Sequence, residues 1–265
     1  MSHSHNPFEK QAPIPNVKHI IAVSSGKGGV GKSTVATNIT LALSKKNKVG
    51  LLDADIYGPS IPRMMGALNQ QLSVNQDKKI EPIVRYGMKL MSIGFMVAEN
   101  AAVVWRGPML FKAIDQFLRD VHWGELDYLV VDLPPGTGDV QLTLAQSVPI
   151  SGAITVTTPQ NIALIDVKKA IDMWERMNIP LLGTVENMAY MIAPQSGERI
   201  QLFPKGELDA YLDSKKISKI GEIPFHPHVS LGSEAGIPIV ESHASSTEAQ
   251  EFFKIAEKIR EKLPV

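Results

Sequence analysis

Gly26-Lys27-Gly28-Gly29-Val30-Gly31-Lys32-Ser33-Thr34 stands between the apolar run Lys18–Ser24 (KHIIAVS) and a helix pattern that opens at Lys32. The string satisfies G-x-x-x-x-G-K-[ST] in the strand–loop–helix setting which that pattern requires. Gly26, Gly28, Gly29 and Gly31 bring no side chains to the loop, so backbone N–H groups can turn inward on an anion, and the helix N-terminus adds partial positive charge. In this reading Lys32 reaches the β- and γ-phosphates of a nucleotide, Ser33 offers its hydroxyl to Mg²⁺, and Thr34 donates to the α-phosphate. Lys27, at the front of the loop, is a second cation beside the phosphates and is placed to act as an arginine finger does.

Working outward, six further strand-sized runs follow: Lys48–Asp53, Lys89–Gly94, Leu126–Leu133, Gly152–Thr157, Pro180–Glu186 and Lys219–Ile223. Several are apolar throughout, as expected of strands covered on both faces. Helix patterns alternate with them at Lys32–Lys46, Met109–Val121, Asp139–Val148, Ile162–Asn178 and Thr247–Leu263, the last capped by Ser246 or Thr247. That alternation predicts an α/β fold: a single-domain P-loop NTPase over 17–265 with a mostly parallel, twisted sheet of about seven or eight strands and helices on both faces. Residues 1–16, polar and with three prolines, read as a flexible N-terminal tail without a secretory signal, which points to the cytoplasm. Gly66–Gly87 and Ala193–Ser218 read as loops or small excursions.

Carboxylates at the ends of parallel strands lie where such folds bind ligands. Asp53 and Asp55 close the second strand in LLDADIYGPSIP. Asp53 is assigned to the Mg²⁺ hydration shell and Asp55 to orienting the attacking water. Asp132 ends DYLVVD in the Walker B manner, so the metal set is Ser33 with Asp53 and Asp132, the two carboxylates reaching the ion directly or through water. The Pro/Gly loop that follows is a candidate switch whose Gly136 N–H would sense the γ-phosphate. Asp139 either caps the next helix or takes part in the site.

Of the 265 residues, 27 are Lys or Arg and 27 are Asp or Glu, a balance that argues against a general nucleic-acid binder or a polybasic membrane binder. No apolar run approaches membrane-spanning length. The chain has no cysteine, which excludes disulfides, zinc–thiolate sites and cysteine nucleophiles. His3 and His5 read as solvated tail residues, and His226 and His228 as loop residues flanking Pro227.

The string KGGVGKST resembles the deviant Walker A loop of the ParA, MinD and nitrogenase iron-protein class. This implies that Lys27 crosses a dimer interface to the partner's nucleotide. Together with DADIYGPSIPRMMG, Trp105-Arg106-Gly107-Pro108-Met109, DLPPGTGD, TTPQ at Thr157–Gln160 and Glu186-Asn187-Met188, it resembles the Mrp (ApbC-like) family of P-loop ATPases from about Val17 onward. The resemblance implies a cytoplasmic homodimer that binds ATP and carries or helps assemble iron–sulfur clusters for client apoproteins. It also implies that Asn187 recognises adenine, although an Asn in a turn is equally ordinary.

One departure stands out. Where the family carries a C-x-x-C pair after ENM-x-Y, this chain has Ala193 and Ser196. Alanine has no donor atom and a serine hydroxyl is a poor ligand for a sulfide cluster, so the usual cluster site does not form. The expectation is therefore an ATPase switch of the cluster-assembly type, slow without a partner, that does not ligate a cluster by the usual pair. The alternative is a ParA/MinD-type positioning ATPase acting on DNA or membrane, for which the terminal helix with Phe252, Phe253, Ile255, Ile259 and Leu263 is the membrane candidate.

Overall fold

The seven apolar runs pair, with one further short strand, into a single sheet. The computed structural model describes residues 11–56, 58–96, 107–204 and 206–265; His3, His5, Tyr57, Trp105 and Arg106 lie outside the described residues. The strands are β1 (Val17–Ser25), β2 (Val49–Asp53), β3 (Ile83–Arg85) and β4 (Met88–Ser92), then β5 (Leu126–Asp132), β6 (Gly152–Thr157), β7 (Leu181–Asn187) and β8 (Lys219–Ile223). Their spatial order is β8-β7-β6-β1-β5-β2-β4-β3. Neighbours are parallel except β3 and β4, a hairpin whose turn residues Tyr86 and Gly87 both have positive φ.

The helices are α1 (Lys32–Ser44), α2 (Ile61–Met64), α3 (Gly107–Arg119), α4 (Asp139–Ser147), α5 (Asn161–Arg176), α6 (Leu208–Lys215), α7 (Pro227–Glu234), α8 (Ile239–Ser242) and α9 (Thr247–Lys262). Strand alternation divides the interior into two cores. Ile21 and Val23 of β1 join Val35 and Ile39 of α1 and Phe252 and Ile255 of α9 on one face. Ile20 and Ala22 join Phe117, Leu118, Leu144 and Trp174 on the other. The indole of Trp174 donates to Ser24 Oγ at 3.0 Å, which ties α5 to the end of β1 just before the phosphate loop.

Helix α9 begins as its sequence suggests, Ser246 Oγ accepting from the Ala249 N–H. Its Phe252, Ile255 and Ile259 are buried and the helix packs on α1, so the apolar stripe is spent on the core. Among the described residues no helix is long and apolar enough to cross a membrane. The approach to β1 also packs: Ile14 is buried, the Ala12 N–H donates to Ser147 O, and Arg119 donates to both Ala12 O and Ser147 O.

Short elements occupy the two weakly patterned regions. Gly66–Gly87 contains a two-stranded ribbon, Ser73–Val74 against Ile80–Glu81, and then β3; Ala193–Ser218 contains the strand Arg199–Ile200 and helix α6. His228 is not a loop residue but lies in α7, whereas His226 precedes it. His226 caps α7, its Nδ1 accepting from the His228 N–H at 3.2 Å, and Pro227 is the favoured first helical residue.

Candidate nucleotide site at the carboxyl ends of the central strands

Strand β1 lies between β5 and β6, and its carboxyl end delivers the chain into Gly26–Gly31 and then α1. Two glycines there do work that no other residue can. A Cβ on Gly26 would lie 2.2 Å from the carbonyl oxygen of Asp166, so the loop touches the backbone of α5 at this point. Gly31 sits at φ 78 as the N-cap of α1, and a Cβ there would lie 2.2 Å from Asn187 Nδ2. No side chain caps α1 and no acid stands in its first turn. The helix therefore presents free N–H groups and the positive end of its dipole.

One lysine and three carboxyl groups meet beside this helix end. Lys32 Nζ donates to Asp132 Oδ1 at 2.6 Å and to Ser33 Oγ at 3.2 Å, and lies 3.8 Å from Asp55 Oδ2. Sheet register supplies the carboxylates: Asp132 of β5 pairs with Asp53 of β2 on one side and with Val23 of β1 on the other. Both Asp53 and Asp132 are fully buried. Burial, and after it the charge of Asp132, push the Asp53 carboxyl far above the usual carboxylate range.

The carboxylates differ in what they have left to give. Asp53 Oδ1 accepts from the Asp55 N–H, and Oδ2 accepts from Ser92 Oγ at 2.9 Å and from the Ile61 N–H at 3.4 Å. Both oxygens expected beside the Mg²⁺ hydration shell are thus engaged within the protein, orienting the turn that carries Asp55. Asp132 Oδ2, by contrast, is buried with no hydrogen-bond partner among the described residues. With Ser33 Oγ nearby, an orphaned carboxylate oxygen at a phosphate loop is a fitting donor set for a hard, oxygen-seeking cation. Among the described residues no group of three or more His, Cys, Asp or Glu is arranged to hold a metal without such help.

Lys27 is half-buried and its Nζ lies 3.4 Å from Gln160 Oε1, so the TTPQ segment sets where this lysine points. Asn187, at the end of β7, is buried and donates from Nδ2 to Val30 O at 2.9 Å, bracing the phosphate loop. Val30 is itself buried, Ser33 and Thr34 are partly exposed at the head of α1, and Gly28 and Gly29 are open to solvent. Asp139 is the first residue of α4 after the N-cap Gly138 and makes no side-chain cap.

Sequence reading overlooked Gln141. It lies on the buried side of α4 beside Leu144 and Ala145, and its Nε2 donates to Pro134 O at 2.8 Å and to Gly136 O at 2.9 Å, across the candidate switch loop. The Gly136 N–H donates to Ser25 O at 2.8 Å, and Ser25 Oγ donates to Lys27 O at 2.9 Å. A polar residue three and four positions before buried apolar ones on one helix is the available signal.

Away from these strands, Ala193 and Ser196 occupy a short loop between Met191–Ile192 and Arg199–Ile200. The Ala193 N–H donates to Glu198 O, and Ser196 Oγ lies 3.3 Å from Glu198 Oε2. The loop is well formed, and neither residue brings a donor suited to iron in a sulfide cluster.

A family model described as ParA: NUBPL iron-transfer P-loop NTPase matches residues 16–260. An iron-sulfur cluster carrier protein of Aquifex aeolicus is 52% identical over 252 residues, 94% of this chain and 69% of that one. The iron-sulfur cluster transfer protein NUBPL of Mus musculus is 45% identical, over 96% of this chain and 80% of its own. A nucleotide-binding protein of Archaeoglobus fulgidus, solved in complex with ADP, superposes with TM-score 0.78 at 41% identity, covering 91% of this chain and 93% of that one. The cell division ATPase MinD of Pyrococcus furiosus, at 24% identity and TM-score 0.68, shares the fold. The parallel sheet agrees with these likenesses, and the chain belongs to the NUBPL-type iron-transfer P-loop NTPases of the ParA class.

Proposed function

We propose that this chain is an ATP-binding and ATP-hydrolysing switch that works as a homodimer in iron–sulfur cluster assembly, serving client apoproteins without ligating a cluster through the usual cysteine pair. The observation that carries the reading is the convergence of Lys32, Asp132 and Asp55 on an uncapped helix N-terminus behind a glycine loop. The relatives' names supply the assembly context.

In this reading the loop N–H groups from Gly28 to Lys32 bind the phosphates, Lys32 moves its charge from Asp132 to the β/γ oxygens, and Thr34 donates to the α-phosphate. Ser33 and Asp132, with Asp53 toward the hydration shell, would hold Mg²⁺, which would supply charge neutralisation at the phosphates. Asp55, steadied through its backbone by Asp53, orients the attacking water. Lys27 serves the nucleotide of the opposite protomer, and Asn187 offers its remaining amide atoms to adenine. The residues of the cluster segment do not fit a cluster as cargo, so ATP use in this chain does not depend on ligating one.

Calorimetry with Mg-ATP, followed by phosphate release, tests the proposal. Tight binding with slow turnover is expected, and an absence of ATP binding would overturn it. Pelleting with liposomes and a DNA shift assay address the positioning alternative, which predicts ATP-dependent binding in one of them.

A further inference from the structure

We infer that Gln141 is a positioning residue that latches the switch loop in the state that lacks a terminal phosphate. The inference rests on the nucleotide-switch reading above. Three observations lead to it.

Gln141 is 1% exposed, so its amide is almost wholly withdrawn from water and needs partners inside the protein. Among the described residues it finds them in the loop: Nε2 donates to Pro134 O and to Gly136 O. A single NH₂ group thus bridges two carbonyls of a five-residue segment between Asp132 and the N-cap Gly138, and fixes that segment against α4.

The loop's own donor points the other way. Gly136, at φ 95, spends its N–H on Ser25 O, and Ser25 in turn donates to the carbonyl of Lys27. Through Gly136 the switch loop is therefore stitched both to the end of β1, next to the phosphate loop, and to α4. For the Gly136 N–H to reach a phosphate oxygen, the Ser25 bond must break and the Pro135–Gly136 peptide must turn, between two flanking peptides whose carbonyls Gln141 holds.

A ligand shifts such an equilibrium only by its difference in affinity for the two states. ADP leaves the latch closed, whereas a nucleotide with a γ-phosphate offers Gly136 a charged acceptor and opposes the latch. Each neutral hydrogen bond changes an equilibrium constant by a factor of about 2–10. Removing the two from Gln141 should then raise affinity for the triphosphate roughly tenfold and leave ADP affinity unchanged.

The test uses the full chain and the variants Gln141→Leu and Gln141→Glu, which remove both donors in different ways. Calorimetry is run with ADP and with a non-hydrolysable ATP analogue, both with Mg²⁺. The expected result is an ADP-to-analogue affinity ratio that moves roughly tenfold toward the analogue, in whichever variant folds. Equal changes for both nucleotides, or no change in the ratio, would overturn the latch. A second readout needs no variant binding data: amide exchange across Leu133–Gly138 should be slow in the wild type without nucleotide and fast in either variant. Fast exchange in the wild type would equally overturn it. If the wild type binds neither nucleotide, the nucleotide-switch reading itself fails, which is a separate outcome.

Discussion

Lys32 and Asp132 form an ion pair of 2.6 Å with side chains 6% and 0% exposed. The lysine that the phosphate loop needs is thus also the counter-charge for a carboxylate that water cannot reach. Breaking a buried pair from one side leaves an uncompensated charge, at a cost of about 3–5 kcal/mol. Lys32→Ala should therefore abolish nucleotide binding and lower unfolding free energy by that amount in urea titrations. Unchanged stability would show that the pair is not held as described.

Gly26 and Gly29 separate two reasons for a glycine. At Gly26 an added methyl meets the Asp166 carbonyl at 2.2 Å, so Gly26→Ala must displace the loop or α5 and should lose most ATP affinity. At Gly29, with φ 79 and nothing within 4 Å of the added atom, Gly29→Ala carries only left-handed backbone strain of about 1–2 kcal/mol. Melting curves and calorimetry on both variants read the contrast.

Mixing Lys27→Ala with Asp55→Ala subunits tests action across a dimer. The Lys27→Ala homodimer should lose about a thousandfold in turnover, the low end of finger effects, and the Asp55→Ala homodimer should also be impaired. The mixture should recover a measurable fraction, because a heterodimer owns one intact composite site. No recovery above either parent would mean that Lys27 acts in cis or not at all.

Reconstitution with iron and sulfide should give no stoichiometric cluster on the natural chain. The well-formed loop between Met191–Ile192 and Arg199–Ile200 should accept Ala193→Cys with Ser196→Cys, and that double variant should then bind a cluster seen by absorbance and Mössbauer spectroscopy. A cluster on the thiol-free chain would overturn the account of the ligands.

Lys219 meets Glu186, Asp209 and Glu222 within 2.9 Å, and its ammonium pKa is raised as these bonds outweigh burial. Burial opposes the charge of Glu222, but Lys219 and Arg199 more than offset it and hold this carboxyl below its usual range. A depressed carboxylate stabilises the fold above its unfolded pKa and loses that contribution as pH falls through its folded one. Lys219→Met should cost roughly 2 kcal/mol at neutral pH, as for a hydrogen bond to a charged group. The gap from wild type should narrow as pH falls through the lowered pKa of Glu222. A gap independent of pH would mean that only packing was lost.

Much of this was legible beforehand. The long apolar runs and the strand-end Asp53 and Asp132 declare themselves because a parallel sheet needs both the period and the terminus. Helices α2, α7 and α8 did not, since they are held by distant partners rather than by their own pattern: the Val240 N–H of α8 is capped by Asn38 Oδ1, from α1. Gln141 was hidden for a related reason. Its partners are two loop carbonyls, and the path of a loop carries no periodicity.

Val23, Asp132 and Asp53 share one rung of the sheet, drawn from three strands widely separated along the chain. A one-residue slip in any of them would turn a side chain to the opposite face, so the site exists only once all three have paired in register. Contacts this remote in sequence close late and slowly. Nucleotide capture is then a report on the completed centre of the sheet, and any ligand bound there returns stability to that centre through mass action.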